Sequence, residues 1–168
     1  MPQRNDELLT RLIDAGVDFV IVVGAAAFAY GATYPTVDLD AAFRFTRENA
    51  ERLLRAFDGV PIRHAITPGK RPVTEDASAL ASLRNLYLES DLGRLDLLGE
   101  LPPVGGYEDA LRRSHSVTLH GREVRLIDID ALIECKEALG RPKDVLVAQQ
   151  LRAIRERTSH PGVPPRGV

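Results

Sequence analysis

Asp38 and Asp40 stand at i and i+2 in Thr36-Val37-Asp38-Leu39-Asp40. On a strand, residues two apart point to one side, so the two carboxylates project together while Val37 and Leu39 turn to the core. Crowded carboxylates repel one another and lose hydration, and each then resists ionising. A divalent cation relieves that repulsion. Magnesium prefers carboxylate oxygens, keeps several waters and bridges to substrate phosphates. The pair therefore points to metal-assisted phosphoryl chemistry. The plainer alternative is two exposed strand residues.

The elements that must position this pair follow from the hydrophobic pattern. Val22-Val23-Gly24-Ala25-Ala26 reads as an apolar strand running through a glycine turn into a helix. A helix is expected over 6–15, from Leu8, Leu9, Leu12 and Ile13, with Gly16 ending it. Residues 18–23 form a buried strand, 25–30 a short Ala-rich helix closed by Gly31, and 37–45 the strand carrying the aspartates. Thr46 caps a helix to Phe57, with Glu48 in its first turn. Residues 58–72 are rich in Gly and Pro and read as a loop with one short strand. Strands over 83–88 and 94–98 flank a Ser90-Asp91-Leu92-Gly93 turn. A short helix at 107–113 precedes a hairpin of 116–119 and 123–127 around His120-Gly121. Two helices then follow, 128–139 stopped by Gly140, and one opened by Pro142 and running to about Arg157. No internal repeat is found.

Composition sets the bounds. A chain of 168 residues with 44% hydrophobic residues can bury one core. A net charge of −2 gives no general argument for nucleic-acid binding. The single Cys135 excludes an internal disulfide framework and a Cys-rich zinc site. No apolar run approaches the ~20 residues that span a bilayer. The polar first residues lack a signal-peptide core, so no membrane partner and a cytoplasmic location are expected.

Gly24-Ala25, Tyr30-Gly31, Thr36 and Asp38-Leu39-Asp40 together resemble the start of the nucleotidyltransferase superfamily related to DNA polymerase β. The later block, Leu132-Ile133-Glu134-Cys135-Lys136 through Gly140-Arg141-Pro142-Lys143-Asp144, is similar to the bacterial branch that includes the AbiEii-type toxin nucleotidyltransferases. The resemblance spans roughly 17–151. It implies an α/β (α+β) fold: a small twisted mixed β-sheet flanked by helices, with C-terminal helices packed near the site. One domain over 1–158 is expected, its helical part at 128–158, followed by a disordered tail at 159–168.

The resemblance implies roles residue by residue. The turn at Gly24 and Ala25 lets backbone N–H groups approach nucleotide phosphates, and Thr36 belongs to the same nucleotide-binding segment. Asp38 and Asp40 hold two divalent metals, Mg2+ or Mn2+. A third carboxylate on a neighbouring strand completes the site and accepts the proton of the attacking hydroxyl. Asp96 is the choice, because it sits mid-strand among apolar residues, where a lone carboxylate is costly. Lys136 and Lys143 are candidates for the triphosphate. Ile129, Leu132, Ile133 and Lys136 share a stripe, so the Lys136 ammonium is expected to face the cleft lined by Gly24 and Asp40.

The implied activity is transfer of a nucleoside monophosphate from an NTP to a hydroxyl, releasing pyrophosphate. The acceptor, whether tRNA, protein or small molecule, stays open. Two departures from the family pattern, Ala25 for a second Gly or Ser and Tyr34 for an Arg, keep a second class in view. That class is a catalytically silent relative that binds a nucleotide or a partner protein, as in a toxin–antitoxin pair.

The remaining residues have plainer readings. Gly24 could serve only as a tight turn, Asp96 as a solvent-facing strand residue or a turn partner of Arg94, and Lys136 as a snorkelling residue. Asp144 could serve the helix dipole. Cys135 reads as a packing residue, and His64, His115, His120 and His160 lack ligand spacing. Thr67-Pro68-Gly69-Lys70 lacks the flanking residues of a phosphate loop. Arg152, Arg155 and Arg157 read as a solvated face in preference to a weak RNA contact.

Overall fold

The computed structural model describes residues 5–22, 26, 30, 31 and 38–159. Seven strands form one mixed sheet in the order β3-β4-β5-β2-β1-β7-β6. They are β1 (Phe19–Ile21), β2 (Leu39–Phe43), β3 (Arg63–His64), β4 (Asn85–Ser90), β5 (Gly93–Leu98), β6 (Ser114–Leu119) and β7 (Arg122–Ile127). Six helices are described: α1 (Asn5–Asp14), α2 (Arg47–Ala56), α3 (Ala77–Ala81), α4 (Tyr107–Arg112), α5 (Ile129–Leu139) and α6 (Pro142–Ser159). The mixed α/β class follows directly. No helix among the described residues is long and apolar enough to cross a membrane.

The centre of the sheet is where chain direction changes. β2 runs antiparallel to β1 and parallel to β5, while β1 runs parallel to β7. Central strands are covered on both sides and so are almost wholly apolar. Phe19, Val20, Ile21, Ala41, Ala42 and Phe43 are all buried. Asp40 and Asp96 break this pattern, and both stand in the described core strands.

Local signals explain most element ends. The Thr46 hydroxyl accepts a bond from the Asn49 N–H at 3.2 Å and starts α2. Asn49 is buried, and its side chain is satisfied: its amide donates to the Asp18 and Arg44 carbonyls, and its oxygen accepts from the Asp18 N–H at 2.7 Å. This ties α2 to the start of β1 and the end of β2. Gly140, at φ 67°, ends α5 in the left-handed region. His120 and Gly121 both have positive φ, which suits the tight β6–β7 hairpin.

Several boundaries differ from expectation. β2 begins at Leu39, and Asp38 lies in a bend just before it. β4 begins at Asn85 and β6 at Ser114. α3 was not legible, because five residues are too few to carry a helical period. Its N-cap is Asp76, which accepts from the Ala79 N–H at 2.9 Å. α6 extends through Ser159, so the expected tail loses its first residue to the helix. Of the expected helix at 25–30, Ala26 is helical and the Tyr30 N–H bonds to the Ala26 carbonyl; the rest lies outside the described residues.

Candidate active site

Asp40 and Asp96 are register partners on the neighbouring parallel strands β2 and β5. Paired residues on adjacent strands share a face, so both carboxylates leave the same side of the sheet. Leu39, Leu95 and Leu97 alternate with them and are buried on the other side. The two aspartates therefore follow from period-two alternation in both segments. The Asp40 carbonyl also accepts from the Val22 N–H at 3.0 Å, which fixes β2 against the end of β1.

Arg94 stands two residues before Asp96 and shares its face. Its Nε lies 2.8 Å from Asp96 Oδ1 and 3.7 Å from Asp38 Oδ2, and its Nη2 lies 3.4 Å from Asp96 Oδ2. One guanidinium thus spans a carboxylate from each side of the β2–β5 seam. Beyond it, β4 places Tyr87 opposite Asp96 and Glu89 opposite Arg94. The Arg94 guanidinium carbon is 6.0 Å from the Tyr87 ring centre, and Glu89 pairs with Lys70 at 2.5 Å.

The electrostatics match this crowding. Burial raises the Asp38 carboxyl above its usual range; Arg94 opposes that, and Asp96 and Glu89 add to it. The bond to Asp96 raises the Arg94 guanidinium, with further help from Asp38 and Asp40. Asp96 is only 13% exposed, so it is placed like a partnered charge and not like a solvated strand residue.

The C-terminal block sits differently from expectation. Lys136 is on the buried side of α5, as its stripe implies, but its ammonium is 3.2 Å from Asp144 Oδ1. The lysine side chain is 7% exposed and the Asp144 side chain 0%. A buried ammonium requires an anion, and the first turn of α6 supplies one. Asp144 also accepts from Arg141 Nε at 2.5 Å. Burial would raise the Asp144 carboxyl, but the bonds from Arg141 and Lys136 outweigh it and hold it below the ordinary range. Asp144 is thus the anchor of two cations and not a surface charge at a helix end. Arg141 is 53% exposed. The bond to Asp144 raises its guanidinium, and the charge of Asp40 contributes as well. Lys143 is exposed on the same turn.

Gly24, Ala25 and Thr36, with Tyr34, lie outside the described residues. Arg94 and Arg141 were missed in the sequence, although signals existed: Arg94 shares the alternation of Asp96, and Arg141 lies inside the Gly140–Asp144 block. Arg152 and Arg155 are not merely solvated, since they pair with Glu137 and Asp130 and tie α6 to α5. Cys135 is buried, and burial pushes its thiol up to about 11, far from a nucleophile's range. His64 and His115 each meet one carboxylate, Glu75 and Asp128.

As the side chains stand, no three His, Cys, Asp or Glu among the described residues are gathered to hold a metal ion. The donor chemistry nonetheless fits a hard cation, because Asp38, Asp40 and Asp96 offer only carboxylate oxygens. The guanidinium of Arg94 lies between Asp38 and Asp96. A cleft of about 750 Å³ lies elsewhere, beyond the opposite ends of β2 and β5, where Phe45, Arg84, Gly99 and Tyr107 help to line it. No family model matches the chain, and no curated protein matches it.

Proposed function

We propose that the protein is a metal-dependent nucleotidyltransferase of the DNA polymerase β-like superfamily. It transfers a nucleoside monophosphate from an NTP to an acceptor hydroxyl and releases pyrophosphate. The observation that carries this reading is the register of Asp40 against Asp96, which puts two carboxylates from neighbouring strands on one face, with Asp38 reaching the same Arg94 guanidinium as Asp96. Asp38, Asp40 and Asp96 would hold Mg2+ or Mn2+. When bound, such ions neutralise charge on the transferred phosphoryl group and the leaving pyrophosphate.

The chain's own residues have separable tasks. Asp96 Oδ1 and Oδ2 are positioned to take the acceptor proton once freed from Arg94. Arg141, whose charge acts on Asp40, is the exposed cation for the nucleotide phosphates. Lys136 holds Asp144, and through it Arg141. The acceptor is a hydroxyl of tRNA, protein or a small molecule, and the location is the cytoplasm.

Labelling tests the reading directly. With each of four NTPs, Mg2+ or Mn2+, and a cell extract, the protein should transfer label to one acceptor, and Asp40→Ala should transfer none. No labelling by the wild-type protein with any NTP would overturn the enzymatic reading. The second reading, a silent relative that binds a nucleotide or partner protein, draws support from the pairing of Arg94 with Asp38 and Asp96. It would then stand, and nucleotide binding without turnover would be its signature.

A further inference from the structure

We propose that Arg94 is the built-in counter-ion of the carboxylate site, and that a divalent cation binds by displacing its guanidinium toward Glu89. The inference rests on reading Asp38, Asp40 and Asp96 as metal ligands. It adds that the metal-free site is not simply open: it is closed by the chain's own cation.

Three observations carry it. The guanidinium lies where a shared cation would sit, at 2.8 Å from Asp96 and 3.7 Å from Asp38. It takes the Asp96 carboxylate with two nitrogens, Nε and Nη2, which occupies oxygens that a metal needs. A second berth is adjacent. Glu89 faces Arg94 across the β4–β5 pair, and the ring centre of Tyr87, two residues before Glu89 on the same strand, is 6.0 Å from the guanidinium carbon. Directly opposed residues on antiparallel strands bring their Cβ atoms to about 5 Å, so rotation of one side chain carries the charge from Asp96 to Glu89. Glu89 already holds Lys70, whose exposed side chain can yield to solvent.

The physical consequence is competition. Two cations cannot share the notch between Asp38 and Asp96 without strong repulsion. Metal affinity is therefore set by the difference between two states of Arg94, and not by the carboxylates alone. The displaced guanidinium remains beside the site, where it can meet a phosphate that arrives with the metal.

The test is Mn2+ titration followed by electron paramagnetic resonance, with no nucleotide present. Arg94→Gln should bind Mn2+ about tenfold more tightly than the wild-type protein. Arg94→Lys, which keeps the charge but loses the two-nitrogen grip, should fall between them. Glu89→Gln should weaken Mn2+ binding in the wild-type background and have a smaller effect in Arg94→Gln, because the berth then has no occupant. If Arg94→Gln melts early in EDTA and recovers with Mn2+, the metal has replaced the guanidinium and the proposal gains. Equal or weaker Mn2+ binding by Arg94→Gln, with binding abolished in Asp40→Asn, would sink this inference and leave the metal site intact. No Mn2+ binding by any form would overturn the metal-ligand reading beneath it as well.

Discussion

On the β2–β5 face, two carboxylates share one guanidinium and Asp40 stands in register beside one of them; between α5 and α6, one carboxylate holds two cations. The first cluster is partly open: the Asp38 and Arg94 side chains are each more than a third exposed. The second is closed at its centre, where Asp144 is fully buried. The same residue types thus do opposite work. An excess of partly solvated carboxylates calls for a further cation. A buried carboxylate with two cations is a structural tie with positive charge left over. Arg141 bonds to Asp144, and the charge of Asp40 adds weakly to the rise of its guanidinium.

The largest expected effect comes from cutting the buried tie. Asp144→Ala leaves the Lys136 ammonium enclosed without its anion, at a cost of about 3–5 kcal/mol. Urea unfolding measures it. Replacing both partners by apolar residues, Lys136→Met with Asp144→Leu, should recover most of that loss, because desolvation of both charges disappears with them. A loss below about 1 kcal/mol in Asp144→Ala would mean that the cluster is not closed to water, and the two clusters would no longer differ in kind.

How much of this was legible depended on which interactions are local. The alternation around Asp40 and around Asp96 is visible in two short segments, and the fold class follows from their alternation with helical periods. Their pairing is not visible, because β2 and β5 are separated by two helices and two other strands. The helix stripe placed Lys136 on the buried side correctly, but the stripe has no information on what it meets. Its partner Asp144 belongs to the next helix, and its distance across the Gly140 turn is set by how α5 and α6 pack. In the sequence Arg94 reads only as a turn partner for Asp96. Its second contact, to Asp38, exists only because the sheet brings the strands together.

The open cluster should respond in the opposite sense. Asp38 is raised by burial, so its charged form opposes folding at neutral pH, and that penalty fades as pH falls through its folded value. Asp38→Asn should therefore melt no lower than the wild-type protein at pH 7 without metal, and its relative advantage should shrink toward acid. The same variant should lose NTP-dependent labelling. A large destabilisation at pH 7 would make Asp38 a structural partner of Arg94, and the comparison with Asp144 would collapse.

Glu75 supplies the intermediate case, one carboxylate between Arg71 and His64 near the sheet edge. The bond from Arg71, then that from His64, holds its carboxyl down to about 2 from an ordinary 4.5. A lowered folded value means stability fully present above the ordinary value and lost as pH falls toward about 2. Glu75→Gln should thus be destabilised at pH 7, and its deficit should close over that acid range. Unfolding midpoints taken from pH 7 down to pH 2 check the sign. A deficit independent of pH would assign the effect to packing.

The smallest effect is expected at Lys143, and it sharpens the division of labour between neighbouring cations. Lys143 is exposed on the first turn of α6, where an isolated surface charge changes stability by no more than about 0.5 kcal/mol. Arg141, two residues earlier, is anchored by buried Asp144 and electrostatically coupled to Asp40. An anchored guanidinium loses less freedom on meeting a phosphate than a lysine moving in solvent. Titration with a non-hydrolysable NTP should then show a clear loss of affinity in Arg141→Ala and little change in Lys143→Ala, at similar melting temperatures. The reverse order would move the phosphate contact off the buried tie and onto the outer face of α6. The Lys136–Asp144–Arg141 cluster would then be a pure helix-to-helix fastening, with no share in the chemistry on the β2–β5 face.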